Sequence, residues 1–398
     1  MRVIIHSDEY YPTSQACAFR MQVFADVFKE KGNEVTVITS SANLEDAANL
    51  SKRKERVIYA PTIRMRKKTT AMRMLNNLSF AITSIFAAFS VGKADVVITT
   101  SPPPLISISG WVIAKIKRAK LVYDVRDIWP DVALEMNSFS ENSVFCKVFR
   151  VITNFMYNHA NLVTTVSPGK AEKVTGYVKP AKRGMVRLIA NGFDRSIVDG
   201  VIDEAVIRQY GLDHESTCVY IGNVGLAQGI DVILDIAART RHKNLKFLIF
   251  GKGAEKEKLE KRAIEEGLTN VRFCGVLEHS KVFTVLSNAK CSIIPLKNAN
   301  MKDSVPTKIY ESLGLGCPVF LVANGDSCEI VNESQLGVCV SPDAGSQIID
   351  EFDQFIDEYE KYAIHANNAK ALMINKYARQ SIASDFEEQL QTLVRKQK

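Results

Sequence analysis

None of the eight cysteines in this 398-residue chain lies in a CxxC pair or beside a histidine, which excludes the common zinc-ribbon and thioredoxin-like arrangements. They stand singly at 17, 146, 218, 274, 291, 317, 328 and 339, mostly inside apolar runs such as Thr217-Cys218-Val219-Tyr220. That placement predicts buried free thiols in a reducing compartment. The opening Met1-Arg2-Val3-Ile4-Ile5-His6 runs into an acidic, tyrosine-rich turn, without the apolar stretch and small-residue cleavage site of a signal peptide. No apolar run reaches the roughly 18 residues a bilayer span needs, because the longest, from Leu78 to Val91, is broken by Ser79, Thr83, Ser84 and Ser90. A cytoplasmic protein is expected. With 21 glycines and 12 prolines, collagen-like and low-complexity readings also fall away.

What is present is an ordinary globular composition, 46% hydrophobic and 24% charged, on a chain long enough for two or three domains. The net charge of +7 is uneven. Lys52, Arg53, Lys54, Arg56, Arg64, Arg66, Lys67, Lys68 and Arg73 face only Glu55, so that stretch carries the whole excess. One basic patch on a neutral body suits local docking on an anionic surface better than wrapping nucleic acid, for which no fold signature accompanies it.

Short β-branched runs alternate with helix-length amphipathic stretches, the rhythm of parallel sheets. Strands are expected at Val3–Ile5, Glu34–Ile38, Asp95–Ile98, Leu121–Tyr123, Leu162–Val166 and Val186–Ile189 in the first half. In the second half they fall near Cys218–Ile221, Lys246–Phe250, Val271–Phe273, Cys291–Ile294, Pro318–Val322 and Val338–Val340. The fold class is α/β, with two Rossmann-like, doubly wound domains at 1–198 and 199–375 and a polar closing helix at 376–398, outside the core. Ligands of such sheets gather beyond the carboxyl ends of the strands, so the turns of both halves should line one central crevice.

The most informative stretch runs from Asp303 through Pro306-Thr307-Lys308 to Glu311, Gly314, Gly316 and Pro318. Valine before proline favours extended geometry, and proline suits a first helical turn, so a helix should start at about Pro306. Its first amides, those of Thr307 and Lys308 included, with Lys308 itself, would form an anion site. Glu311 lies one turn deeper on the same face, where a carboxylate can accept two ribose hydroxyls. A surface helix with an exposed Lys and Glu is the plain alternative. Asp303 precedes Glu311 by eight residues, and this pair of acids with the glycines behind it resembles the acid-x7-acid region of the retaining GT-B glycosyltransferases of family 4. The resemblance implies that Glu311 holds the donor ribose and Asp303 approaches the donor sugar, although the usual upstream residue is Glu.

Other segments agree with that resemblance in order and spacing. Tyr220-Ile221-Gly222-Asn223-Val224-Gly225-Leu226-Ala227-Gln228-Gly229 is a strand and a glycine-spaced loop. Many members place a diphosphate-clamping Arg and Lys in this loop, where this chain has Asn223 and Gln228 as neutral donors at comparable places, and glycines such as Gly225 let backbone amides approach phosphate. Phe250-Gly251-Lys252-Gly253 matches the second glycine turn, and Val276 follows the strand whose end lies against the base. Leu121-Val122-Tyr123-Asp124-Val125-Arg126-Asp127-Ile128-Trp129-Pro130-Asp131 looks like the DxRDxWP signature of surface-polysaccharide transferases in that family. It offers Asp127 or Arg126 to the reacting centre from the acceptor side, unless the two acids and the arginine are a salt-bridged corner. Ala190-Asn191-Gly192-Phe193-Asp194 resembles the family's NGxD. Gln15 and Ala16 occupy the first-loop position where paired glycines are common near the donor.

Leu75, Leu78, Ile82, Ile85, Phe86 and Phe89 recur at helical spacing beside the basic stretch. Such a stripe is either core or, with the cations, a membrane-surface anchor over 52–93. The resemblance as a whole implies a GT-B glycosyltransferase on the inner face of the plasma membrane. It would move a sugar such as N-acetyl-L-fucosamine from a UDP-sugar to a polyprenyl-diphosphate-linked saccharide, with retention and no cofactor. No Asp-x-Asp follows a strand to hold a divalent cation. A nucleotide-sugar epimerase of the same fold and a non-catalytic nucleotide-sugar-binding adaptor are the alternatives.

Overall fold

The computed structural model describes residues 1–11, 16–44, 54–63, 69–135 and 140–395. They form two compact units, Met1–Asn191 with Arg379–Lys398, and Gly192–Ala378. The first carries strands β1 (Arg2–His6), β2 (Glu34–Ser40), β3 (Arg56–Ala60), β4 (Val96–Ser101), β5 (Lys120–Val125), β6 (Leu162–Thr165) and β7 (Val186–Leu188). They pair in the order β3-β2-β1-β4-β5-β6-β7, all parallel. The second carries β8 (Thr217–Ile221), β9 (Lys246–Phe250), β10 (Val271–Gly275), β11 (Cys291–Pro295), β12 (Val319–Val322) and β13 (Gly337–Val340), in the parallel order β10-β9-β8-β11-β12-β13. Both orders reverse direction beside the first strand of the unit, which puts a switch point at the carboxyl ends of β1 and β4 and of β8 and β11.

Six first-half strands were expected and seven are present among the described residues. The additional one, Arg56–Ala60, is an edge strand with only Ala60 fully buried, so its sequence lacks the continuous apolar run of an inner parallel strand. Local signals set the helix starts. Thr69 Oγ1 accepts from Met72 N at 3.3 Å, and Ser143 Oγ from Cys146 N at 3.2 Å, each satisfying a donor of the first turn. Ser167 caps the helix Pro168–Tyr177 in the same way.

The first sheet is covered on one face by the helices Thr70–Phe89, Pro104–Lys117 and Val144–His159, and on the other by Ala16–Glu30 and the terminal Arg379–Arg395. That terminal helix was expected outside the core on account of its polarity. Instead it buries Ala383, Phe386 and Leu390 against Phe24 and Phe28, because the few apolar residues of a polar helix suffice when they share one face. Of the two readings of the stripe beside the basic stretch, the core reading fails. The core takes Phe80, Ala81, Ser84 and Ala88, while Leu75, Leu78, Ile82, Phe86 and Phe89 are exposed and only Ile85 is partly buried. Cys328 and Cys339, on adjacent elements and 5.5 Å apart at Cα, form a disulfide where free thiols were expected. The other six cysteines are free. Among the described residues no helix is long and apolar enough to cross a membrane.

At the centre of the first unit lies a fully buried ion pair. Arg20 donates from Nε to Asp124 Oδ2 at 3.2 Å and from Nη2 to Oδ1 at 2.9 Å. Thr100 and Thr164 donate to the same carboxylate, at 3.2 and 2.7 Å. Against the upward push of burial, Arg20 holds the Asp124 carboxyl below its ordinary range. Asp124 stabilises the fold above the unfolded-state pKa of about 3.9, and that contribution is lost as pH falls through the lower folded value. Arg20→Ala should cost about 3–5 kcal/mol in chemical denaturation, since it leaves a buried charge unpaired, whereas Arg20→Met with Asp124→Leu should cost much less. Equal losses from both variants would contradict this account.

Candidate functional site

In the second unit three strand ends close on one another. Gly222 N donates to Phe250 O at 2.9 Å, Gly251 N to Gly275 O at 2.6 Å, and Val224 N to Lys252 O at 3.0 Å. The ladder thus continues past β8, β9 and β10 through glycine-bearing turns. Gly251 has φ +148°, and a Cβ there would stand 1.7 Å from the Gly222 carbonyl oxygen. Only glycine lets the two backbones approach this closely. At Gly222, with φ +155°, a Cβ would meet the Lys308 ammonium at 2.9 Å.

Lys308 is the second residue of the helix Thr307–Gly314, with Pro306 just ahead of it. Its ammonium donates to Tyr220 Oη at 2.7 Å and Gln228 Oε1 at 2.9 Å, and lies 4.1 Å from the centre of the Tyr220 ring. The tyrosine hydroxyl in turn donates a hydrogen bond to the Asn223 carbonyl at 2.6 Å. Burial pushes Lys308 down to about 7, with Glu311 pulling in the opposite direction. Thr307 and Glu311 are partly buried, and Asp303, in the loop before the helix, is buried. Asp326 N donates to Lys302 O at 2.8 Å, and Ser327 Oγ donates to Ser304 O, so the helix Asp326–Ser334 fixes the loop on both sides of Asp303.

The sequence placed Gln228 as a neutral donor toward an anion. The structure turns its carbonyl oxygen to Lys308, where it orients the cation instead. Asn223 and Lys252 are exposed, and Gly225 is followed by exposed Leu226. Val276, directly after β10, is exposed as well. Tyr220 was missed. Its signal was an aromatic hydroxyl two residues before the glycine, at the end of an otherwise apolar strand.

In the first unit the DxRDxWP segment divides its labour. Asp124 belongs to the Arg20 ion pair, so the salt-bridged corner is real but its arginine is not Arg126. Arg126 donates from Nε to Thr100 Oγ1 at 3.0 Å and from Nη2 to Pro102 O at 2.7 Å, which aims it across the end of β4. Against its burial, Cys17, Asp127, Glu9 and Asp8 raise its pKa. Asp8, just after β1, is pushed up to about 7 by burial and by Glu9, with Arg126 opposing. Asp8 and Glu9 therefore join Arg126 and Asp127 at the carboxyl edge. Their position directly after a strand was the available signal. Ala16 opens the helix Ala16–Glu30 and is exposed, while Gln15 lies outside the described residues, as do Lys52, Arg53, Arg64, Arg66, Lys67 and Lys68. In the NGxD segment the Asn191 carbonyl accepts from Arg379 Nε at 3.0 Å, and Asp194 accepts from Ser196 N at 3.0 Å as the cap of a short helical turn.

Two family models match the chain: one described as glycosyl transferases group 1, over residues 203–372, and one described as glycosyl transferase 4-like domain, over residues 19–192. Each half of the chain thus matches a glycosyl transferase family. Among curated relatives it is 25% identical over 374 residues to the putative colanic acid biosynthesis glycosyl transferase WcaI of Escherichia coli, covering 88% of this chain and 90% of that one. It is 20% identical to the probable glycosyltransferase WbjE of Pseudomonas aeruginosa, over 76% of this chain and 80% of the other. Among solved structures, sucrose-phosphate synthase from Thermosynechococcus elongatus superposes with TM-score 0.81 at 15% identity, covering 99% of both chains. Anabaena Alr3699/HepE in complex with UDP and glucose gives 0.76 at 15% identity, covering 98% of this chain and 100% of the other. The fold is GT-B, with two Rossmann-like domains.

Two outcomes follow for the second unit. Lysine-labelled NMR should find one ammonium titrating near pH 7, absent in Lys308→Arg and moved to lower pH by Glu311→Gln, because Glu311 favours the charged form. A Lys308 midpoint at the ordinary value near 10 would contradict the enclosure described above. Gly251→Ala should lower the melting temperature, since its methyl group overlaps the Gly222 carbonyl.

Proposed function

We propose that this protein transfers a sugar, an N-acetylated amino sugar such as N-acetyl-L-fucosamine, from a UDP donor to a polyprenyl-diphosphate-linked saccharide in surface-polysaccharide assembly. The carrying observation is the Lys308 arrangement, in which a helix start, a cation and glycine-bearing strand ends converge at the carboxyl edge of one sheet. Tyr220 and Gln228 take two of the three ammonium hydrogens, which leaves the third for a diphosphate oxygen. The amides of Thr307 and Lys308 and the turn at Gly225 meet the same charge, so the leaving UDP is stabilised by donors already in place. Glu311, one helical turn on, takes the ribose hydroxyls. Exposed Val276 offers an apolar face to the base, and Lys252 and Asn223 flank the approach. Asp303 approaches the donor sugar, and Ala16, at the start of its helix, approaches the donor from the first unit.

On the acceptor side Arg126 and Asp127 hold the incoming saccharide. Retention at the anomeric carbon and independence from divalent metal complete the reading, with no cofactor beyond the UDP-sugar as substrate. The acceptor's lipid brings the enzyme to the inner face of the membrane, where the cations of 52–93 and the exposed Leu75-to-Phe89 stripe meet anionic headgroups. Each cation near such a leaflet contributes about 1 kcal/mol. The names of two relatives support this setting, WcaI through colanic acid biosynthesis and a lipopolysaccharide 1,2-N-acetylglucosaminetransferase of Salmonella typhimurium through its sugar and product.

Incubation with UDP-sugars, with and without a membrane lipid extract, tests the reading. Transfer to lipid supports it, whereas acceptor-independent isomerisation or binding alone overturns it. Lys308→Ala and Glu311→Ala should each weaken donor use by about 2–3 kcal/mol, roughly 30- to 150-fold. UDP affinity should fall as pH rises through 7, because an anion must then recharge Lys308, and binding at pH 8 should take up a proton detectable as a buffer-dependent enthalpy. Abolition by EDTA with rescue by Mg²⁺ would sink the metal-free mechanism, and an inverted product by NMR would sink retention.

A further inference from the structure

The helix Val144–His159 carries a second exposed apolar stripe. Val144 and Val151 are 78% and 70% exposed, and Val148, on the same face, is exposed too. Positions 144, 148 and 151 are one helical stripe. The opposite face buries Cys146, Thr153, Met156 and Tyr157. β-Branched residues gain little from a helix and nothing from water, so three aligned outward need a covering. Across the same sheet face, beyond Pro104–Lys117, the helix Thr70–Phe89 presents Phe86 at 67% and Phe89 at 63%. A helix packed on a sheet exposes the side facing away from it, so both stripes look outward from one layer.

Charge identifies the covering. None of these three helices contains an Asp or Glu, and from Arg56 to Tyr123 the sole acid is Asp95, which Arg2 already holds at 2.7 Å. Arg73, Lys115, Lys147 and Arg150 stand on the layer, the last 3.9 Å from Asp131 and Glu141. A second copy of the chain would set cations against cations. An anionic bilayer accepts both the apolar stripe and the positive rim.

We propose that Val144–His159 is a second bilayer-docking element, inserting its valine stripe beside anionic headgroups; this rests on the reading that Thr70–Phe89 meets the same membrane. The element is wired to the site. Trp129, in the turn that follows Arg126 and Asp127, packs edge-on against Phe149 at 5.5 Å, and Trp111 does so against Phe155 at 5.1 Å. Both tryptophans of the chain therefore report on this one helix, and docking bears directly on the back of the acceptor-side turn.

The test titrates the full chain with vesicles of equal parts phosphatidylglycerol and phosphatidylcholine, and with phosphatidylcholine alone, reading tryptophan emission and sedimentation. The wild type should bind the anionic vesicles with a shift in emission. Val144→Ser, Val148→Ser and Val151→Ser combined should bind about tenfold more weakly with unchanged circular dichroism. If the triple variant unfolds, Val144→Ser alone should give a smaller loss in the same direction. Full binding by the triple variant, with loss in Phe86→Ser plus Phe89→Ser, overturns the second foothold and spares the first. Loss in the triple variant alone keeps the foothold and removes the reading beneath it. No binding by the wild type overturns both. A wild-type dimer that the triple variant dissociates would assign the stripe to a second copy and overturn the proposal.

Discussion

The first unit is organised around a carboxylate that never meets solvent. Asp124 receives Arg20 from the first helix, Thr100 from β4 and Thr164 from β6, while Arg20 reaches on to the Ala190 carbonyl at 2.9 Å. One charge thus ties three neighbouring strands, a helix and the end of the unit's main segment into a single register. The energetic gain of such a pair over an apolar replacement is small or negative. Its effect is geometric. With Asp124 held inward, the next polar residues of the segment, Arg126 and Asp127, fall beyond the sheet edge, where chemistry is possible.

Lys308 in the second unit makes the contrasting choice. Arg20 has its hydrogen bonds satisfied by a carboxylate and a carbonyl, whereas Lys308 is enclosed by neutral oxygens that orient it without cancelling its charge. A cation kept this way is costly when empty, which is the meaning of its depressed pKa, and correspondingly strong toward an arriving anion. The glycine turns allow that enclosure, since any side chain at Gly222 would displace the ammonium.

Much of this was legible in the residues. Twelve of the thirteen strands announce themselves as β-branched runs, and the start of the helix at Thr307 follows from Val305-Pro306. What escaped was what depends on partners far along the chain. The Arg20–Asp124 pair spans 104 residues, and the Lys308–Tyr220 contact 88; no local pattern encodes either. The terminal helix reads as polar because its three core residues are outnumbered by charges, and only Phe24 and Phe28 reveal which face matters. The Leu75-to-Phe89 stripe has the periodicity of a core face, yet the small residues Ala81, Ser84 and Ala88 pack more closely on the sheet and take that place.

The order of the chain also bears on how the protein is made. The segment Gly192–Ala378 stands inside the sequence of the first unit, whose last helix is Arg379–Arg395. During synthesis the first sheet emerges early, but Phe24 and Phe28 wait for Phe386 until the whole second unit has been translated. At the pace of a ribosome the inserted unit takes on the order of ten seconds or more. Throughout that interval the sides of Phe24 and Phe28 that Phe386 will cover stay open.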